Sequence, residues 1–378
     1  MVRVDDIRKV HLFAPQEQLD DLKRRLGNTR WPDAETVSDW SQGVPLARMR
    51  ALVDRWAGAY DWRRCEAMLN EFGLYATEID GLLIHFLHIR SPRSNALPLV
   101  LTHGWPGSII EFHQVIEPLV TGAPGHIAFD LVIPCLPGYG FSARPKSPGW
   151  SVERIARAWV TLMAKLGYER YVAQGGDWGA AVSLAMAKLA PEQLAGIHLN
   201  MPMVIPPASE RGELDAEQQS ALRALERYRR DENGYARLQS TRPQTLGYGL
   251  VDSPVAQAAW IYEKFYFWSD CAGDPDGLFT TDALLDNIML YWLSGSGASS
   301  ARLYWESLGT AFAPTVLDLP VGCSIFPKEI IPAARRWAEK YYRNLIYWNR
   351  LERGGHFAAF EQPAVFVQEI RNCFARLP

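Results

Sequence analysis

Residues 171–189 read YVAQGGDWGAAVSLAMAKL, and they are the most informative stretch of the chain. The first four residues are a short, mostly apolar run of strand type, and Ala180–Leu189 has the pattern of a helix. Between them, Gly175 and Gly179 flank Asp177 by two residues on each side, which is the spacing of a nucleophile elbow. The spacing has a steric reason, because the turn residue is strained and the neighbouring backbone comes so close that only a small residue fits. We therefore predict a strand, a sharp turn that exposes the Asp177 side chain, and a helix.

The aspartate at the apex of this turn predicts a different reaction from the one that a serine would perform. A serine that attacked an sp³ carbon would leave an ether, which a histidine-activated water cannot cleave. Asp177 attacking the same carbon leaves an ester, whose carbonyl a second water can hydrolyse. The residue type thus favours substitution at carbon, by opening an epoxide or expelling a halide, over acyl transfer. The plainer interpretation is that Gly-Gly-Asp is an ordinary turn and that Asp177 caps the helix; the residues described next argue against it.

A second motif supplies candidate donors for an oxyanion. Residues 103–107 read HGWPG and follow the strand-like run 97–102, where a hydrolase with such an elbow carries its second oxyanion donor. We expect the backbone N–H groups of Trp105 and of Trp178, the residue after the nucleophile, to converge on the developing charge. His103 is interpreted as structural.

The general base and its orienting acid are predicted near the C-terminus. His356 lies in an Arg-Gly-Gly-His-Phe loop after a strand-like run at 345–349, which completes the order nucleophile, acid, histidine. The acid should follow the C-terminal end of a core strand, since open α/β sheets build their sites there. Glu329 follows the strand 321–326, whereas Asp318 precedes it and Glu352 is too near the histidine, so we choose Glu329.

The arrangement of patterns along the chain predicts an α/β fold. Short apolar segments alternate with helical patterns between residues 97 and 200, which indicates βαβ units, a mostly parallel sheet and helices on both faces. From about residue 203 to 314 the sequence is helical and rich in Trp and Tyr, and strands then resume. We expect four segments: an N-terminal meander at 1–95 packing on core and lid, the first part of the core at 96–202, a helical lid at 203–314, and the second part of the core at 315–378.

Composition excludes several classes of protein. The 378 residues carry 39 Lys and Arg against 42 Asp and Glu, so no strong field is present to hold nucleic acid or an anionic membrane. The 5 cysteines are far apart and odd in number, which argues against a disulfide framework or a zinc site. No run approaches the length of a membrane span, and residues 1–6 (MVRVDD) are charged where a signal peptide is apolar. We expect a cytoplasmic protein that needs neither metal nor organic cofactor.

A glycine-rich segment at residues 138–143 (GYGFSA) is an apparent dinucleotide fingerprint. Pro145 and Pro148 follow it, so no helix can start there to receive a pyrophosphate on its N-terminus. A nucleotide site is therefore disfavoured.

Taken together, these motifs resemble the epoxide hydrolases of the microsomal type, which have an α/β-hydrolase fold with an N-terminal meander. The resemblance covers nearly the whole chain. Its motifs are the elbow and the segments 13–15 (FAP), 30–33 (RWPD), 137–142 (PGYGFS) and 354–361 (GGHFAAFE). The sequence differs from membrane-bound members in lacking an N-terminal anchor and in a shorter lid, and soluble bacterial relatives include enzymes of secondary metabolism.

The resemblance implies two lid tyrosines that donate hydrogen bonds to the epoxide oxygen, and their surroundings point to Tyr235 and Tyr304. It also implies the reaction: Asp177 opens the epoxide to form an alkyl ester, and water activated by His356, which Glu329 orients, hydrolyses that ester to a vicinal diol. The expected partner is a small apolar or aromatic epoxide, and the enzyme is expected to be a monomer or homodimer. Two alternatives stay open, a haloalkane dehalogenase with the same triad and a catalytically silent binding protein on this fold.

Overall fold

A nine-stranded sheet organises the part of the chain that the computed structural model describes, residues 6–122, 125–189 and 192–378. The strands are β1 (Arg8–Val10), β2 (Leu74–Ile79), β3 (Leu82–Ile89), β4 (Leu97–Thr102), β5 (Phe129–Pro134), β6 (Tyr171–Gly175), β7 (Leu194–Leu199), β8 (Val321–Ile325) and β9 (Leu345–Arg350). Their order across the sheet is β1-β2-β3-β5-β4-β6-β7-β8-β9. The pairs from β5 through β4 to β9 are parallel, and β1, β2 and β3 pair antiparallel with their neighbours. The prediction of a mostly parallel sheet is confirmed.

Helices cover this sheet and form the lid. Those outside the lid are α1 (Gln16–Gly27), α2 (Leu46–Ala57), α3 (Trp62–Phe72), α4 (His113–Thr121), α5 (Val152–Lys165), α6 (Asp177–Leu189), α14 (Arg335–Tyr341), α15 (Ala358–Glu361) and α16 (Pro363–Phe374). Those of the lid are α7 (Ala216–Arg227), α8 (Gly234–Thr241), α9 (Pro243–Asp252), α10 (Pro254–Phe267), α11 (Pro275–Leu278), α12 (Thr281–Ser294) and α13 (Gly297–Ser307). The lid is inserted between β7 and β8, as predicted.

The central strands explain why the site forms where it does. Strands β6 and β8 are buried along their whole length, which requires helices on both faces. Helix α5 packs against α6, while α4 packs against α16, and members of both pairs contact the sheet. The loops that follow β4, β6, β8 and β9 leave the same edge of the sheet, because these strands run parallel. Every core residue selected from the sequence lies shortly after the end of one of these four strands, on the loop or at the start of the helix that follows.

The N-terminal segment contacts helix α12 of the lid through several side chains. The indole N–H of Trp56 contacts Met289 Sδ of α12 at 3.3 Å, and the hydroxyl of Tyr60 donates to Asp286 Oδ1 at 2.7 Å. Arg64 pairs with the same carboxylate, its Nη2 lying 2.5 Å from Oδ2. Strands β2 and β3 lie within the segment 1–95 and are nonetheless part of the sheet. On the basis of these contacts, we propose the same division of the chain into four segments.

Some local expectations shift at element ends. Helix α6 begins at Asp177 itself rather than at Ala180. The helical segment after β4 starts as a 3-10 turn over Ile109–Phe112 before α4. Residues 1–5, on which the expectation about a signal peptide rests in part, lie outside the described residues. Within the described ranges, no helix has the length and apolar character needed to cross a bilayer.

Candidate active site

The elbow has the strained geometry that its glycines predict. Asp177 lies two residues beyond the end of β6 and takes a left-handed backbone conformation with φ of +49°, which is rare for a residue other than glycine. A β-carbon on Gly175 would lie 2.1 Å from the carbonyl carbon of Gly179, and one on Gly179 would lie 1.9 Å from the backbone oxygen of Thr102. Both distances are far inside van der Waals contact. The two glycines are therefore required because strand, turn and helix pack backbone against backbone.

The carboxylate of Asp177 lies against the loop after β4. Its Oδ1 accepts the backbone N–H of Trp105 at 2.8 Å. A β-carbon on Gly104 would meet Oδ1 at 2.3 Å, so glycine there lets the donor loop approach. Trp178 is fully buried at the start of α6, where first-turn N–H groups have no partner within a helix. The N–H of Trp105 already contacts the group on which the oxyanion would form.

His356 lies between Glu329 and Asp177 and contacts both carboxylates. Glu329, four residues beyond β8, accepts the Nδ1 proton of His356 on Oε1 at 2.7 Å, and His356 Nε2 lies 3.4 Å from Asp177 Oδ2. All three side chains are buried. The rejected acid Asp318 is 76% exposed and pairs with Arg343 at the surface, and Glu352 is exposed. The structure thus brings together the three residues that were selected.

Two carboxylates control the charge of His356. Burial disfavours the imidazolium, but the attraction of Glu329 and Asp177 outweighs burial and raises the pKa of His356 well above its ordinary value. Once Asp177 becomes an ester it loses its charge, and one of the two groups that hold the proton on His356 is removed. The same histidine can therefore rest as a cation beside Asp177 and act as a base after the ester forms.

The two lid tyrosines face the nucleophile across a cavity. Tyr235 of α8 and Tyr304 of α13 are buried, with ring centroids 5.7 Å apart, and both line a cavity of about 470 Å³ together with Asp177. Trp105 stacks on the Tyr235 ring with a centroid distance of 4.8 Å. Burial, reinforced by the nearby Asp177 carboxylate, raises the pKa of both phenols well above the ordinary value. Both hydroxyls therefore carry their protons at neutral pH and can donate them.

The rest of the cavity wall is mostly apolar and comes from both core and lid. Its apolar residues include Met201, Met203, Val204, Leu308, Phe312 and Ile331. Arg211, Arg229 and Asn233 supply its polar part besides the catalytic groups. A small apolar molecule with one polar centre is the ligand that suits this wall.

A second, smaller cavity lies behind Asp177, where no sequence pattern predicted one. It has about 20 Å³ and is lined by Glu111, Gln174 and Asn200 in addition to Asp177 and His356. Burial raises the pKa of Glu111 to about 8, against the opposing attraction of His356. This volume is sufficient for one water molecule, and the lining offers several polar partners.

Tyr228 is a further residue that sequence reasoning missed. Its hydroxyl lies 3.1 Å from that of Tyr235, and it lines the main cavity. The seven-residue spacing between the two tyrosines, close to two helical turns, is a signal that could have linked them. The segment Tyr228–Glu232 between α7 and α8 is in fact a π-helix, a form that pattern reading does not anticipate.

The fold and the site define an α/β-hydrolase with an aspartate at the position of the nucleophile elbow. The family model described as alpha/beta hydrolase fold matches residues 98–240, and the model described as Epoxide hydrolase N terminus matches residues 7–112. A putative epoxide hydrolase of Stigmatella aurantiaca (strain DW4/3-1) is 56% identical over 370 residues, covering 97% of this chain and 84% of the relative. Epoxide hydrolase 1 of Sus scrofa is 33% identical over 402 residues, covering 97% and 88%.

Solved structures of epoxide hydrolases also match the fold of this chain. The juvenile hormone epoxide hydrolase of the silkworm Bombyx mori matches with a TM-score of 0.92 at 31% identity, covering 98% of this chain and 95% of that one. The epoxide hydrolase of Aspergillus niger matches with a TM-score of 0.86 at 31% identity, covering 98% and 96%. The chain belongs to the epoxide hydrolase family, and its substrate is a small-molecule epoxide. Of the alternatives left open by the sequence, this assignment selects the enzyme that opens an epoxide.

Proposed function

We propose that this enzyme converts an apolar or aromatic epoxide to a vicinal diol through an ester on Asp177. The observation that carries the proposal is the position of the Asp177 carboxylate, which contacts the Trp105 N–H on one oxygen and faces His356 Nε2 with the other. The Asp177 side chain borders two cavities. One has about 470 Å³, and the other has about 20 Å³, enough for one water molecule.

In the first half-reaction, an Asp177 oxygen attacks one carbon of the epoxide, and the bond from that carbon to the ring oxygen breaks. The electron pair goes to the oxygen, where Tyr235 and Tyr304 donate hydrogen bonds and one of them supplies a proton. His356 gives up its proton once Asp177 has become an uncharged ester, and that proton restores the tyrosine. Donors already aimed at the place where charge develops need no reorganisation during the reaction, which is the efficient arrangement.

In the second half-reaction, His356 takes a proton from water while Glu329 stabilises the imidazolium through the 2.7 Å contact at Nδ1. The water attacks the Asp177 carbonyl carbon, and the N–H groups of Trp105 and Trp178 hold the oxyanion. The ester bond then breaks, its alkyl oxygen takes the second proton of the attacking water, and the diol leaves. The Asp177 carboxylate and the His356 imidazolium are thereby restored. The chain's own residues supply every step.

We also propose that the enzyme works in the cytoplasm, without nucleic acid, as a monomer or homodimer. The five cysteines are buried and unpaired, which suits a reducing compartment. Light scattering after gel filtration measures the oligomeric state directly.

The experiment is to trap the ester. His356→Gln leaves Asp177 able to attack but removes the base for its hydrolysis. Mixed with styrene oxide, this variant should gain the substrate's mass on the peptide that carries Asp177. His126→Gln, at an exposed position, is the matched control and should turn over without accumulating an adduct. Full turnover by His356→Gln with no adduct would reject the assigned roles.

A further inference from the structure

A buried lysine lies next to one of the two tyrosines that face the reaction. Lys264, on the lid helix α10, is 2% exposed, and its Nζ lies 4.7 Å from the centroid of the Tyr235 ring and 5.5 Å from that of Trp268. Burying an ammonium group is costly unless the surroundings compensate its charge. Here the compensation comes from two aromatic faces and from Glu263, whose Oε1 lies 3.1 Å from Nζ.

The position of this cation matters because of what happens to the Tyr235 ring during ring opening. As the epoxide oxygen becomes an alkoxide, the Tyr235 hydroxyl shares its proton with it, and negative charge grows on the phenol. A cation over an aromatic face is attracted to that ring's electrons, and the attraction increases as the ring becomes more negative. An interaction that is stronger in the transition state than in the ground state accelerates the step.

We propose that Lys264 is a positioning residue that acts through Tyr235: its ammonium group strengthens hydrogen-bond donation from the Tyr235 hydroxyl while the epoxide opens. The inference rests on the proposed function of Tyr235 and assigns Lys264 to the first half-reaction alone. Lys264 transfers no proton in this step. The bonds that form and break are those between Asp177, the epoxide carbon and the epoxide oxygen.

A purely structural role for Lys264 makes a different prediction. The backbone carbonyl of Trp268 accepts a hydrogen bond from the backbone N–H of His356 at 2.8 Å, and the Lys264 ammonium group lies over the Trp268 ring. If Lys264 only held Trp268 in place, its loss would disturb His356 and slow ester hydrolysis. The two half-reactions therefore separate the two roles.

The first test replaces the cation by a side chain of similar length. Lys264→Met should slow single-turnover alkylation by about two- to thirtyfold, the range expected for one cation–aromatic contact. Ester hydrolysis should stay near the wild-type rate. Lys264→Arg keeps a cation that can lie over aromatic rings, so its alkylation rate should be closer to wild type than that of Lys264→Met. Lys340→Met is the matched control, because it removes a cation 5.4 Å from the centroid of the Tyr341 ring, outside the site.

The decisive test combines variants. In a Tyr235→Phe background, Lys264→Met should change alkylation by less than about twofold, because the hydroxyl through which it acts is gone. In a Tyr304→Phe background, it should keep its full effect. A loss of equal size in both backgrounds, or a loss confined to ester hydrolysis, would overturn the proposal.

A substrate pair gives an independent readout. Trifluoromethyloxirane forms a less basic alkoxide than methyloxirane and needs less help from its donors. The loss caused by Lys264→Met should therefore be smaller for the fluorinated epoxide, and an equal loss for both would overturn the proposal. Failure of the proposed function is recognised separately, since Tyr235→Phe alone would then leave alkylation unchanged.

Discussion

Replacing Tyr304 by phenylalanine should weaken catalysis without weakening the fold. Tyr304 is buried, with its ring 4.7 Å from that of Trp178 in an edge-on contact. Its hydroxyl has no hydrogen-bond partner among the residues that the structure describes. A buried hydroxyl without a partner is a cost to the folded state, and the geometry here leaves its proton free for the epoxide oxygen.

The substitution should leave the stability of the protein unchanged or increase it, whereas it should lower the rate of alkylation. Leaving a buried polar group unpaired costs about 1–3 kcal/mol, so removing the hydroxyl should leave the free energy of unfolding unchanged or raise it by about 1 kcal/mol. A hydrogen bond to a group that becomes charged contributes roughly 1.5–3 kcal/mol, so alkylation should slow by about ten- to a hundredfold. Ester hydrolysis should change little, because the hydroxyl serves the epoxide oxygen rather than the acyl carbon.

The assay pairs rapid-quench single turnovers with urea unfolding of the same preparation. Tyr347→Phe is the matched control: the Tyr347 hydroxyl is buried and donates to Glu369 at 3.0 Å, away from the site. That variant should lose stability and keep its alkylation rate. If Tyr304→Phe instead lost more than about 1 kcal/mol of stability and alkylated at the wild-type rate, the hydroxyl would be structural and its assigned role wrong.

Other substitutions test the remaining parts of the site. Glu329→Gln should slow ester hydrolysis by roughly a hundredfold or more, while Asp318→Asn, in an exposed ion pair, should not; equal effects would reject the choice of acid. Gly179→Ala should destabilise the protein by about 3 kcal/mol or more, because its β-carbon would lie 1.9 Å from a backbone oxygen of β4. Gly27→Ala, with open space around it, should be neutral or mildly stabilising, and similar urea midpoints for the two would contradict the packing of the elbow. The folded-state pKa of His356 is raised above 6.5, so its contribution to stability is complete below pH 6.5 and is lost as pH rises through the folded pKa. Urea unfolding at a series of pH values should show this loss of stability in the wild type. The His356→Gln variant should not show it.

The core of the site could be predicted from the sequence because its residues lie beside strand ends. Asp177 and Glu329 each follow a recognisable strand, and parallel strands end at one edge of the sheet. The strand end alone decided between Glu329 and Asp318. Tyr235 and Tyr304 required the family resemblance, since one lid tyrosine has the same pattern as any other aromatic residue in a core.

The residues that were missed act through tertiary contacts that no local pattern encodes. Lys264 is separated from Tyr235 by 29 positions, and the two meet only because α8 and α10 fold over the core. Glu111 lies in the 3-10 turn after β4, and it lines the small cavity beside Asp177 because Gly107 has no side chain in its way. Tyr228 is brought to Tyr235 by a π-helix.

The most direct test of the nucleophilic role of Asp177 follows an oxygen atom. In the ester mechanism, the oxygen added to the diol comes from the Asp177 carboxylate, and solvent oxygen replaces it in the enzyme. With enzyme in excess over substrate in oxygen-18 water, the first turnover should give unlabelled diol, and the label should appear on the peptide that contains Asp177. Later turnovers should release labelled diol as the carboxylate becomes enriched. Full label in the diol of the first turnover would mean that water attacks the epoxide directly, and Asp177 would not be the nucleophile.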